Sequence, residues 1–392
     1  MARKGGRDRG SQLGRAPAQT GSLASAALAG VRVRGGRASR LGLGASATDK
    51  LRAAPLTEQR PTRAEPERPP GVDLSHETAP LIDQLEARCE RDYPGLLDRF
   101  PPTRLLEIYD RHADSPYWFV GPETGAFVDA LERDYGDQAV LVYQQLLVAQ
   151  SVARHSVPQG RLIIPRSLAP DIDRERTRML ADLRAGSPDW TSKLGDYFLK
   201  DLAVARFHMI PSGPHVAELS AGVPRRILIT GGARQFIDVL TTFYLRRRPF
   251  RPMLHIHLSE KALSDFNPEG RERCFAQLAE LLRANPNLAG VCAASWLYDP
   301  ALPRVSPHLW FMQEPARSHD AKFFRLKTDE QSQRLATLKS ATRRRLFEAG
   351  EYLPTAYAMI WFKNDLMRWA QDRTRHASEE ATNQREHTHD TR

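Results

Sequence analysis

The 392 residues leave room for two or three domains, and an apolar share of 41% is enough to build a core. Three well-separated cysteines (Cys89, Cys274, Cys292) exclude a disulfide framework and favour a reducing, cytoplasmic setting, while no apolar run approaches the ~18 residues of a membrane-spanning helix. The net charge of +10 is concentrated: residues 1–48 hold nine Lys or Arg against Asp8, so that arm carries +8 and the rest only +2, which excludes a basic nucleic-acid-binding domain but leaves a basic arm.

Residues 1–70 are rich in Gly, Ala, Ser, Arg and Pro and nearly lack aromatic side chains. Such a segment buries too little apolar surface to offset the entropy of ordering, so it is expected to be disordered. Its composition fits a variable extension, an arm that weakly binds an anionic partner such as phosphate or a membrane surface, or an Arg-rich organelle presequence.

From 71 to 200 the texture predicts a mostly helical subdomain. Helices are expected at Ala79–Asp92, Pro102–His112, Thr124–Tyr135 and Gly136–His155, the last closed by Pro158 and Gly160. The Tyr117-Trp118-Phe119 cluster between them reads as a core anchor rather than a ligand cage. Arg161–Pro165 is a short strand candidate, and Asp171–Ala185 a charged surface helix.

An α/β core is expected over 201–327. Leu202–Ile210 alternates and reads as a strand, followed by Val223–Thr230 as a second, ended by Gly231-Gly232. A helix over Ala233–Arg247 then leads to the strand Met253–Leu258, the helix Glu269–Ala284 and the strand Ala289–Tyr298. Trp310–Met312 and Lys322–Lys327 are further strand candidates. Over 328–371 two closing helices are expected, a basic one at Thr328–Ala349 and an aromatic-rich one at Thr355–Ala370; 372–392 reads as a disordered polar tail. The fold class is therefore α/β (α+β), a mixed-sheet domain preceded by a helical subdomain.

Several residue groups carry chemistry. Ile227–Arg234 imitates a dinucleotide-binding turn but lacks the third glycine that lets the next helix pack close, so it reads as strand-ending glycines whose amides at 232–234 suit an anion. His255 and His257 project from one strand face and can share a metal with Glu260 or Asp299; the plainer reading is two partly buried, hydrogen-bonded histidines. Ser295, Asp299 and His308 have the residue types of a hydrolytic triad without the nucleophile elbow, and Asp299 before Pro300 also suits a turn. Lys339–Arg345 forms a basic helix face, suited to solvent or to phosphate.

Leu254-His255-Ile256-His257, a helix, then Ser295-Trp296-Leu297-Tyr298-Asp299-Pro300-Ala301-Leu302 resembles the carboxyl-terminal domain of certain GNAT-like acyltransferases. Those have an LHIP strand, a helix and an SWLLDP-L segment followed by a Ser-containing turn, here Val305-Ser306. His257 stands where that family has proline and Tyr298 where it has leucine, and the family's pyrophosphate-cradling glycine loop is absent. The likeness spans about 60 residues and implies an α/β fold of that kind, with acyl transfer from acyl-CoA to a small-molecule acceptor as the activity. On that reading His257, Ser295 and Asp299 line the acceptor pocket, while Gly231, Gly232 and Arg234 approach the anionic cofactor. A degenerate, non-catalytic relative of that family fits the same residues, and two rivals stand beside it: an interaction protein meeting an acidic partner through its basic arm and basic helix, and a metal-dependent enzyme built on His255 and His257.

Overall fold

A helix that is buried on nearly every side must be surrounded by other elements, and Asp137–Arg154 is such a helix, buried from Ala139 to Val152 with few breaks. In this computed structural model, which describes residues 74–389 except 113–114, 156–161, 187–192, 221–222 and 246–251, it forms the middle of a helical layer. Around it pack Ser75–Asp92, Pro102–Arg111, Pro122–Tyr135, Ala169–Arg184 and Asp196–Ala205. Their common core runs on into Met209 and Val216 of the sheet. Residues 1–70, Pro158 and Gly160 lie outside the described residues.

The sheet has six strands: β1 (Met209–Ser212), β2 (His215–Ser220), β3 (Met253–Leu258), β4 (Gly290–Ser295), β5 (Lys322–Lys327) and β6 (Ala356–Phe362), in the order β1-β2-β3-β4-β6-β5. All neighbours are antiparallel except β3 and β4. This is a mixed-sheet α/β fold. One sheet face (Leu254, Ile256, Val291, Ala293, Met359, Trp361) packs on Phe275 and Leu278 of the helix Pro268–Ala284 and on Trp369 of the helix Lys363–His389. The other (Met253, Cys292, Ala294, Ala358, Ile360) packs on Val239 and Phe243 of the helix Gly232–Leu245. Cys89, Cys274 and Cys292 are buried and unpaired, and no described helix is long and apolar enough to cross a membrane.

The parallel pair is the irregular place. β3 and β4 register only at Leu254↔Val291 and His255↔Cys292. Past those pairs β3 continues on β2 as far as Leu258↔His215, and β4 continues on β6 as far as Ser295↔Tyr357. Each strand thus follows its outer neighbour, and the two part toward their carboxyl ends.

Several expected elements take another form. Leu202–Ile210 is no strand: the helix Asp196–Ala205 covers its first half, and β1 starts only at Met209. That helix is buried on all sides from Phe198 to Ala205, so no helical stripe marks it in the sequence. Val223–Thr230 holds a 3-10 turn over Arg225–Leu228, with Ile229 out in solvent. Leu162–Ile164 of the RLIIP run forms no strand; both backbone groups of Ile163 bond instead to the Asn285 side-chain amide, each at 2.8 Å. β4 stops at Ser295, and Trp296–Tyr298 and Pro307–Met312 are 3-10 helices rather than strand.

Thr328–Ala349 divides into Glu330–Leu338 and Ala341–Glu348, because Ser340 caps the second helix by accepting from the Arg343 N–H. Thr355–Ala370 is not one helix but β6 followed by Lys363–His389, which also carries helix into the expected disordered tail as far as His389. β6 lies between β4 and β5 with both faces covered, so its apolar run shows no strand alternation.

Candidate functional site

Side chains alternate across a strand, so β2 sends Val216 and Glu218 to one face and His215 and Ala217 to the other. β3 sends His255 and His257 to the Glu218 face, as their i, i+2 spacing predicts. Glu218 registers with His255 across the ladder. Its Oε1 lies 2.9 Å from Nε2 of His257 and 3.8 Å from Nδ1 of His255. The other carboxylate oxygen, Oε2, accepts the Tyr117 backbone N–H at 2.9 Å. The Tyr117 ring meets His257 edge-on at 4.9 Å between centroids, and the two imidazoles lie 4.4 Å apart. Glu218, His255 and His257 are all buried.

The electrostatics follow from that packing. Burial alone would raise the Glu218 carboxyl; the hydrogen bond and charge of His257, then His255 and the Tyr117 amide, outweigh it and hold the group below its usual range. Burial, helped by His257 and opposed by Glu218, pushes His255 down to about 3, so its ring is neutral. A carboxylate can only accept, so His257 donates from Nε2, and in the neutral ring its lone pair lies on Nδ1.

A second layer surrounds the cluster. The Tyr117 hydroxyl donates to Asp196 Oδ1 at 2.6 Å, and Lys200 Nζ reaches Asp196 Oδ2 at 2.9 Å and the Leu258 carbonyl at 3.2 Å. The helical layer therefore reaches the site through Tyr117 and Lys200. On the opposite sheet face the buried Arg271 donates to His215 Nε2 and the Tyr298 hydroxyl, each at 2.9 Å, and to the Met312 carbonyl at 3.2 Å. Burial, then the Arg271 charge, holds His215 well below its ordinary value.

The other expected site residues stand elsewhere. Ser295 has the parity of Val291 and Ala293, the sheet face away from His257, and its Oγ accepts the Leu297 N–H at 3.2 Å. Asp299 accepts from Ala301 N–H at 2.9 Å and Thr355 N–H at 3.0 Å, tying its turn to the start of β6. His308 is exposed on the Pro307–Met312 turn, so no triad forms. Gly231, Gly232 and the exposed Arg234 open the helix Gly232–Leu245, where Gln235 clasps Arg325 of β5 through its backbone N–H at 2.8 Å and carbonyl at 2.9 Å. β4 and β6 separate that edge of the sheet from His257.

Neither expected third partner of the histidines serves. The Glu260 carboxylate takes the Tyr197 hydroxyl, and Asp299 is held in its turn. The basic face at 339–345 also loses its middle member: Arg343 is buried over the Trp296 ring, 4.8 Å from its centroid, and donates to Ser306 Oγ at 2.9 Å. Glu218 is not among the expected site residues because β2 is not among the expected strands. The alternation of His215–Ser220 and the Gly213-Pro214 turn before it were the available signals. Tyr117, expected as a core anchor, is buried as such but also binds the carboxylate.

The fold and site define a mixed-sheet α/β protein with a buried carboxylate–imidazole cluster beside a parted parallel strand pair. No protein family and no curated protein matches the sequence. Among solved structures, an acyltransferase in complex with decanoyl-CoA is similar at a TM-score of 0.35 and 14% identity, over 76% of this chain and 90% of that one. A likeness that weak transfers no activity.

Proposed function

We propose that this chain transfers an acyl group from a thioester donor of the acyl-CoA type to a small nucleophilic acceptor. The observation that carries the reading is the parting of β3 from β4 next to the His257–Glu218 pair. A gap between parallel strands offers backbone amides and carbonyls to an extended, amide-bearing donor arm, as a sheet edge does to a peptide. The resemblance of 253–311 to GNAT-like acyltransferases points the same way.

In this mechanism the acceptor N–H or O–H attacks the thioester carbonyl while Nδ1 of His257 takes its proton. Glu218 stabilises the imidazolium through Nε2–H. The tetrahedral centre then collapses with cleavage of the C–S bond, and the thiolate leaves and is protonated. Ser295 and Asp299 serve as turn builders, and Gly231, Gly232 and Arg234 lie outside this seat.

The test is acyl-CoA binding by the purified full chain, read by calorimetry and thermal shift, followed by thiol release with a panel of amines and alcohols. We expect saturable binding that survives in His257→Gln, together with loss of thiol release in that variant. A folded chain that shows no acyl-CoA-dependent shift overturns the reading.

A further inference from the structure

We propose that Glu218, His255 and His257 form a site for one divalent transition cation of the zinc class. Each offers one ligand atom, and the three atoms lie within 4.8 Å of one another. Metal–ligand distances of about 2.0–2.2 Å need donors no more than about 4.3 Å apart, so small side-chain rotations close the site. Two imidazoles and one carboxylate suit Zn2+, Co2+ or Ni2+ better than the all-oxygen preference of Mg2+ or Ca2+.

The frame is already built. Both histidines come from one strand and the carboxylate from its hydrogen-bonded neighbour, which fixes their spacing through the ladder. Tyr117 N–H occupies Oε2, which orients the carboxylate with Oε1 toward both rings. Oε1 and Nε2 of His257 now share one proton. A cation takes the place of that proton, and the neutral ring then carries its proton on Nδ1.

That exchange has a functional consequence. Nδ1 is the atom that accepts a proton in the acyl-transfer reading, so bound cation and active base exclude each other. The binding itself does not rest on that reading; only the inhibition does.

The experiment uses the chelator-stripped full chain and Co2+ as a visible probe, with Zn2+ as competitor and Mg2+ as control. We expect the absorption of low-coordinate Co2+ to saturate at one ion per chain and to be displaced by Zn2+ but not by Mg2+. Glu218→Gln, which is isosteric, and His257→Gln, which keeps a polar amide near the Nε2 position, should each weaken binding by about tenfold or more. A His387→Ala/His389→Ala variant should bind as the parent does. Absence of a Co2+ spectrum in folded protein overturns the proposal, as does binding unchanged by Glu218→Gln and His257→Gln or lost in the tail variant. Failure to bind acyl-CoA would remove the acyl-transfer reading and leave this one standing.

Discussion

Glu218 stands directly across from His255 in the β2–β3 ladder, yet its hydrogen bond runs diagonally to His257. Opposite and diagonal neighbours on one sheet face are both within reach of a glutamate side chain. One carboxylate therefore serves two imidazoles, one of them kept neutral by burial and the other hydrogen-bonded. This pairing sets the chemistry of the site.

Its first consequence concerns the tautomer of His257. In Glu218→Gln the new amide keeps its oxygen toward the Tyr117 N–H and turns its NH2 toward the ring. Nε2 must then accept, and the proton moves to Nδ1. Nitrogen-detected NMR of labelled histidine should show the switch. Glu218→Ala should instead lower stability by about 1–3 kcal/mol in denaturant titration, because it strands buried donors.

Asp299 and Ser295 are expected to matter for folding rather than for chemistry. Asp299→Ala leaves the Ala301 and Thr355 amides without their acceptor, at a cost of about 1–3 kcal/mol in urea unfolding. Ser295→Ala removes one cap and should cost about 1 kcal/mol. Neither variant should alter the His257 resonances. A changed His257 environment with unchanged stability would return these residues to the site.

Gly290, at the start of β4, leaves no room for a side chain against β6. Its φ of +155° disfavours a side chain, and a Cβ there would stand 2.2 Å from the Trp361 carbonyl and 2.9 Å from the Phe362 Cα. These are backbone atoms of a central strand and cannot yield cheaply. Gly290→Ala should cost about 3 kcal/mol, read as a lowered Tm and soluble yield. An unchanged Tm would contradict the Gly290↔Phe362 register.

Acid should weaken the fold through His215. Burial and Arg271 depress its folded pKa, with His257 adding to the effect, while the Tyr298 hydroxyl shares the same guanidinium. The unfolded chain therefore binds a proton that the folded chain refuses. Stability is full above the unfolded value of about 6.5 and falls below it, by up to about 1.4 kcal/mol per pH unit for this group. His255, pushed down to about 3 chiefly by burial, and His155, lowered mainly by burial, act with the same sign. His215→Gln keeps an acceptor for Arg271 and should flatten the curve between pH 6.5 and 5, as measured by unfolding at a series of pH values.

Segments that expose one face were legible as a sequence. The helices around Leu81–Leu85 and Leu105–Ile108 and the helix Pro268–Ala284 keep a helical stripe, because one side meets solvent. The strand that the pattern predicts over Met253–Leu258 has the bounds of β3, and strand alternation alone puts His255 and His257 on one face. Asp196–Ala205 and β6 take another form than their pattern predicts for the converse reason: both are covered all round, so polarity stops reporting period. Ser295 and Asp299 looked chemical because residue type does not reveal whether a buried oxygen serves a neighbouring amide. Local order and the two imidazoles were thus determined by the sequence itself, since periodicity is a property of neighbouring residues. Only the tertiary structure decided that Glu218, 37 and 39 positions away along the chain, completes them, because a cross-strand partner is set by register and no local pattern encodes it.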